Sequence, residues 1–155
     1  LTLFELFRLP IEELKAKLHR HFKHEDEPSG MCFKQATLRL ASHPNAHPRT
    51  LGKLAKKDSP EILERVAENP QAKPRTLEQL AKHEQAEVRA AVTENTNTPE
   101  ETINELAVDS SPDVRFRLAE NSNTSIEVLR QLTDDENPYV SARARETLRN
   151  LKKAS

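Results

Sequence analysis

Four consecutive 26-residue segments, beginning at Leu40, Val66, Val92 and Leu118, align without a gap, and they constrain this chain more than any other feature. The column Leu40/Val66/Val92/Leu118 is apolar throughout. So are Leu51/Leu77/Ile103/Leu129, Leu54/Leu80/Leu106/Leu132 and Ile62/Val88/Val114/Val140. Self-similarity at a fixed period of this length marks a solenoid, whose units share one continuous core because none buries enough apolar surface alone. The expected fold is therefore all-α: two short helices per repeat, stacked, with helical caps at both ends.

Composition fits a thin stack better than a thick globule. Only 35 % of the 155 residues are hydrophobic and 32 % are charged, and ten prolines against two glycines mark helix starts rather than flexible linkers. Within each repeat the first helix carries an apolar stripe such as Leu51, Leu54 and Ala55. Thr98-Pro99-Glu100-Glu101 reads as an N-cap threonine with proline at the first helical position, and Thr124-Ser125-Ile126-Glu127 repeats the cap without the proline. The second helix opens at Ser59-Pro60, Ser111-Pro112 or Asn137-Pro138 and closes at Asn69, Asn95 or Asn121, where a left-handed C-terminal residue is expected.

The chain divides on this reading into a single repeat domain, 1–155. Residues 1–39 form an N-terminal helical cap and partial repeat, 40–143 the four repeats, and 144–155 the end of a C-terminal capping helix. Helices are expected near 11–23, 31–41, 48–56, 60–68, 74–82, 86–94, 100–107, 112–120, 126–133 and 138–152, with boundaries good to about three residues.

The pattern V-A-E-N-P-x-x-x-P-x-x-L-x-x-L-A-K, a short break, then E-V-R resembles the leucine-rich repeat variant family, a cousin of HEAT-like repeats, over about Leu40 to Arg143. The resemblance implies a right-handed superhelix in which α-helices alternate with shorter, often 3₁₀, helices. Some members carry an N-terminal iron–sulfur module, but Cys32 is the single cysteine here and the module is not carried over. One cysteine also excludes an intrachain disulfide. With no apolar run long enough to span a membrane and no signal-peptide pattern, a cytoplasmic location is expected.

The net charge is −1, so no global field favours nucleic acid or an anionic membrane. Its distribution is uneven: the successive repeats carry +2, 0, −4 and −3, and the tail from Ala144 carries +3. Several residue groups invite a functional interpretation. His19, His21 and His24 have the ligand chemistry for Zn²⁺ or Ni²⁺, but lack an ordered metal motif and read as a solvated helix end, so no metal and no cofactor are expected. The columns Asn69/Asn95/Asn121 and Asn45/Gln71/Asn97/Asn123 could bond a ligand backbone, yet read better as bonding the chain's own turns from repeat to repeat. Glu68, Glu94, Glu120 and Glu146 form an exposed acidic column, with Arg65, Arg117 and Arg143 three residues before members of it and expected to pair along the helix.

Phe116 and Tyr139 stand out on a chain with 4 % aromatics. Phe116 lies two residues from the inward positions Val114 and Leu118 and should point outward, while Tyr139 occupies a column otherwise held by Glu61, Glu87 and Asp113. Exposed aromatics are candidate anchors for a partner; the alternative is that they pack over a neighbouring arginine stem such as Arg143. Asp113, Glu120, Asp134, Asp135 and Glu136 would supply a negative rim selecting a basic partner. No phosphate loop, nucleophile elbow or cofactor fingerprint is present. The leading expectation is thus a monomeric, non-enzymatic scaffold for a protein or peptide. The alternative is a HEAT-like nucleic-acid-binding protein or DNA-repair-type enzyme, with Arg65, Arg89, Arg115, Arg117 and Arg143 along one ridge.

Overall fold

The computed structural model describes residues 30–57 and 59–154, and among these every regular element is an α-helix. They are α1 (Gly30–Ser42), α2 (Pro48–Leu54), α3 (Pro60–Glu68), α4 (Pro74–Leu80), α5 (Ala86–Thr93), α6 (Glu100–Leu106), α7 (Pro112–Glu120), α8 (Ile126–Leu132) and α9 (Pro138–Ala154). The chain divides into two compact units, Leu1–Ala36 and Thr37–Ser155. Of the first unit only the opening turns of α1 are described, so the helices expected before residue 30, and the His19/His21/His24 cluster, lie outside the described residues.

In the second unit, α3, α5, α7 and α9 stack consecutively, and the short helices α4, α6 and α8 pack against the stacked helices on either side of them. Apolar columns explain the stacking. Val66, Val92 and Leu118 are fully buried, as are Val88, Val114 and Leu51, Leu77 and Leu129. The short helices are two-turn α-helices of seven residues, not 3₁₀ helices as the resemblance implied. Just past their ends, tighter bonds such as Lys82 N–H to the Gln79 carbonyl (3.3 Å) and Asp109 N–H to the Leu106 carbonyl (3.2 Å) close the turn.

The caps differ from the sequence expectation by one residue. The residue before α6 is Pro99, and Ser125, not Thr124, caps α8 by accepting the Val128 N–H at 3.3 Å. Thr98 and Thr124 sit one position earlier, where Ala46 and Ala72 are buried in the first two repeats. Burial there leaves each threonine hydroxyl to donate back to a second-helix carbonyl: Thr98 to Val92 at 2.7 Å and Thr124 to Leu118 at 3.0 Å.

The asparagines also behave differently. Asn69 and Asn121 are extended, with φ of −74° and −75°, and among the described residues no non-glycine has positive φ. Carbonyls at the ends of these helices are met from the next repeat rather than by a left-handed turn: Ala67 and Asn69 by the Asn95 amide, and Ala119 by the Thr147 hydroxyl.

Candidate functional site

The asparagine column joins each repeat to the one before it. The Asn69 amide donates to the carbonyls of Ala41 (2.5 Å) and His43 (2.9 Å), and the Asn95 amide to those of Ala67 (2.6 Å) and Asn69 (2.9 Å). Each side-chain oxygen meanwhile accepts the N–H two residues on, at 2.9 Å from Gln71, Asn97 and Asn123 in turn. In the last rung, Thr147 takes the asparagine's place and donates to the Ala119 carbonyl at 2.6 Å. The column is structural through most of its length, as its position in the repeat suggests.

The ladder loosens between the third and fourth repeats. Asn121 reaches only the Thr93 carbonyl, at 2.9 Å, and is half-buried where Asn69 and Asn95 are buried. In the outer column Asn97 donates to the carbonyls of Pro70 (2.7 Å) and Ala72 (3.2 Å), whereas neither the Gln71 nor the Asn123 side chain makes an equivalent bond among the described residues. A notch of 230 Å³ opens there, between the 94–98 and 121–125 turns.

On the opposite ends of the stacked helices lies a second ribbon that sequence reasoning missed. Arg89 forks onto Asp109 at 2.7 and 2.8 Å and also donates to the carbonyls of His83 and Glu84. Arg115 forks onto Asp135 at 2.7 and 3.1 Å and donates to the Asp109 carbonyl at 2.6 Å. Asp109 thus takes one arginine on its carboxylate and the next on its backbone. These arginines occupy the column that holds Leu63 in the first repeat, and Arg115 is only 7 % exposed. The signal in the sequence is an arginine replacing an apolar residue with an aspartate exactly 20 positions later, twice.

Charge pairing tunes all four groups. At Asp109 burial pushes the carboxyl up, but the Arg89 hydrogen bond, the Ser111 N–H and both arginine charges together outweigh it and hold it below the ordinary carboxylate range. At Asp135 the Arg115 hydrogen bond is the leading cause of the same downward shift, opposed by burial. Arg89 and Arg115 are each raised, first by the hydrogen bond to their aspartate. Along the second-helix faces, Glu64 is raised by its partial burial and by Glu68 beside it.

The residues singled out from sequence separate into three places. Tyr139 projects into solvent with 76 % of its surface exposed, at the start of α9, where the Asn137 side chain accepts its N–H at 2.9 Å. Asp113 is exposed at the equivalent position of α7, and Asp134 and Glu136 are exposed on the turn leading into α9. Asp135 does not join them: its side chain is 6 % exposed and bound to Arg115. Glu120 is exposed but lies at the far end of α7, roughly 10 Å along the helix from Asp113. Phe116 is half-buried and packs against the core, with the Arg143 guanidinium 5.3 Å from its ring centre, which is the alternative its sequence position allowed rather than a free outward anchor. Tertiary packing and a cation–π cover draw it inward.

The acidic column is likewise only partly as expected. Arg65 pairs with Glu68 at 2.7 Å and Arg143 with Glu146 at 3.3 Å, three residues on in each case. Arg117 instead crosses to Glu94 of the preceding repeat at 2.8 Å, because α5 carries Ala91 where an arginine would serve Glu94. Among the described residues, no group of three or more His, Cys, Asp or Glu side chains is placed to hold a metal, and no helix is long and apolar enough to cross a membrane.

Residues 35–96 match the model of the Leucine Rich Repeat Variant domain. That stretch is similar to a leucine-rich repeat variant domain. The match spans the end of α1 through α5, and the same columns and the same asparagine rung continue past it in α6 to α9, so the repeat architecture extends beyond the matched residues. Neither the curated proteins nor the solved structures contain a match to the chain.

Proposed function

We propose that this protein is a non-enzymatic scaffold, wound as a right-handed superhelix, that holds a basic protein or peptide partner at the start of its last stacked helices. The carrying observation is Tyr139, 76 % exposed on a chain with few aromatics, at the start of a helix whose leading turn exposes Asp134 and Glu136, the latter also pairing with Arg115 at 3.4 Å, while Asp113 is exposed at the equivalent start of α7. An exposed aromatic offers a large, rigid contact area at little entropic cost, and a carboxylate rim steers cationic partners. Phe116 would contribute through the Arg143 lid that covers it rather than directly. The same surface holds no assembled catalytic set, which is why binding rather than chemistry is inferred.

A nucleic-acid interface is the weaker interpretation. Each of the five arginines that would form its ridge, Arg65, Arg89, Arg115, Arg117 and Arg143, is engaged in an ion pair with a carboxylate of this chain. Affinity capture from the source lysate tests the proposal, with Tyr139→Ser and Asp113→Asn/Glu136→Gln chains as controls. The expected result is a partner released faster by the tyrosine variant and captured more slowly, with less salt sensitivity, by the rim variant. Equal capture by all three chains would sink the proposed surface. Salt-dependent binding of duplex DNA at micromolar concentration would favour the nucleic-acid interpretation instead.

A further inference from the structure

The solvent face of the short helices reverses its charge halfway along the stack. In each repeat, positions spaced i, i+4 and i+7 form one exposed stripe along the short helix and the turn that follows it. In the first two repeats the stripe carries Arg49, Lys53, Lys56, Arg75 and Lys82. In the last two the same columns carry Glu101, Glu105, Glu127 and Asp134. The leading column alone runs Arg49, Arg75, Glu101, Glu127. None of these side chains joins an ion pair among the described residues, whereas Arg65, Arg89, Arg115, Arg117 and Arg143 on the stacked helices all do. Helix stability does not account for the cations either. Arg49 and Arg75 stand in the first turns of α2 and α4, where the helix dipole disfavours positive charge.

A face that is basic over one half and acidic over the other is complementary to itself turned end for end. We propose that two copies of this chain pair through the short-helix face, about a two-fold axis parallel to those helices and midway between the second and third repeats. Arg75 of each copy then faces Glu101 of the other, Arg49 faces Glu127, and Lys56 faces Asp134. Every contact occurs twice, as an isologous interface requires. The two charges that break the pattern sit on the adjoining column, and the same axis sets Glu78 opposite Asn104 and Arg130 opposite Gly52, so neither meets a like charge. A parallel copy slipped by two repeats leaves half of each stripe unmatched and propagates as an open chain. A polyanion laid along the basic half runs on into Glu101 and Glu127. The stripe is one helix wide and its charges are exposed, so the pair is a weak one held by screened electrostatics. It does not rest on the Tyr139 surface, with which it shares only Asp134.

Sedimentation velocity of the 155-residue chain tests the pairing at about 0.01 M and about 1 M salt, between which the screening length falls from roughly 30 Å to roughly 3 Å. The expected result is a two-chain species at low salt that dissociates at high salt, so that the monomer expected from sequence is the high-salt form. At low salt, Arg75→Glu and Glu101→Arg chains should each associate at least about tenfold more weakly, because the reversed charge meets a like one twice in every pair. An equimolar mixture of these two variants should recover the parent's association, since both central contacts are again of opposite sign in the mixed pair. The Arg75→Glu/Glu101→Arg chain should recover it alone. That recovery separates lost pairing from lost folding, and circular dichroism should show the parent's helix content throughout. A Tyr139→Ser chain should pair as the parent does. A parent that is monomeric at both salts, a dimer indifferent to salt, or a species that grows beyond two chains overturns the inference. So does a variant mixture that stays dissociated, or a monomeric parent that binds poly-glutamate through Arg75, which makes the occupant an acidic partner instead of a second copy. Loss of Tyr139-dependent capture with pairing intact removes the scaffold surface and leaves the dimer; failed pairing with that capture intact does the reverse.

Discussion

At the scale of single residues, the arginine–aspartate ribbon is the strongest departure from an ordinary solenoid core. Arg115 stands where Leu63 stands in the first repeat, and its charge is tolerated because Asp135 meets it with two hydrogen bonds while the Asp109 carbonyl and Glu136 accept further ones. Removing one partner leaves the other charged, buried and unpaired, which typically costs about 3–5 kcal/mol, whereas replacing both with matched uncharged groups is often neutral. Arg115→Leu should therefore destabilise the protein by about 3 kcal/mol, and Arg115→Leu/Asp135→Asn should recover most of that, since asparagine can still accept the Asn137 N–H. Chemical denaturation of the two variants and the Asp135→Asn single completes the double-mutant cycle. Acid sensitivity follows from the same pairs. Asp109 and Asp135 are depressed in the folded protein, so their contribution is present in full above the unfolded aspartate value near 3.9 and is lost as pH falls through the lower folded values. The midpoint of thermal unfolding should drop steeply below about pH 4, and more shallowly in Arg115→Leu/Asp135→Asn.

At the scale of elements, the turn between helices carries more of the architecture than the helices' own propensities. Seven-residue helices are too short to stand alone in water. Side chains bonded across repeats hold them in register. Asn95 donates twice to the preceding repeat and accepts once within its own turn, while Asn121 donates once. At roughly 1 kcal/mol per net hydrogen bond, Asn95→Ala should cost about 2–3 kcal/mol and Asn121→Ala about 1–2 kcal/mol. Equal losses would mean that the rung between the third and fourth repeats is as tight as its neighbour. Three histidines show the same turn logic with different chemistry. His43, His47 and His83 each accept the N–H two residues on through Nδ1, in places where other repeats use Asn69, Ser125 and Asp109. His83→Ala should cost less than Asp109→Ala, because Asp109 also holds Arg89 and His83 holds no arginine by its side chain.

At the scale of the whole molecule, a stack shares its core unevenly. Leu80 lies in a repeat with neighbours on both sides and is 2 % exposed, while Leu151 is half-buried near the end of α9. Leu80→Ala should cost roughly 2–5 kcal/mol and Leu151→Ala clearly less; matching shifts in denaturation midpoint would contradict nearest-neighbour stacking. Charge is also graded along the chain, with the third and fourth repeats at −4 and −3, and the Tyr139 surface lies there.

Most of this architecture was legible because a repeat writes the same instruction several times. Column after column of apolar residues named the core, and proline with a capping residue named most helix starts. Observed helix bounds such as Pro60–Glu68 and Pro112–Glu120 coincide with the expected ones, and Gly30–Ser42 and Pro138–Ala154 differ by no more than two residues at either end. What repetition could not convey are the places where one repeat touches the next through a residue that differs between them. Arg117 chooses Glu94 over Glu120, Asp135 turns inward to Arg115 instead of joining a rim, and Asn123 misses the carbonyls that its counterpart Asn97 reaches. Periodicity reports which face of a helix a residue lies on. The partner a long polar side chain finds depends on distances across the stack, and those exist only once the repeats are packed.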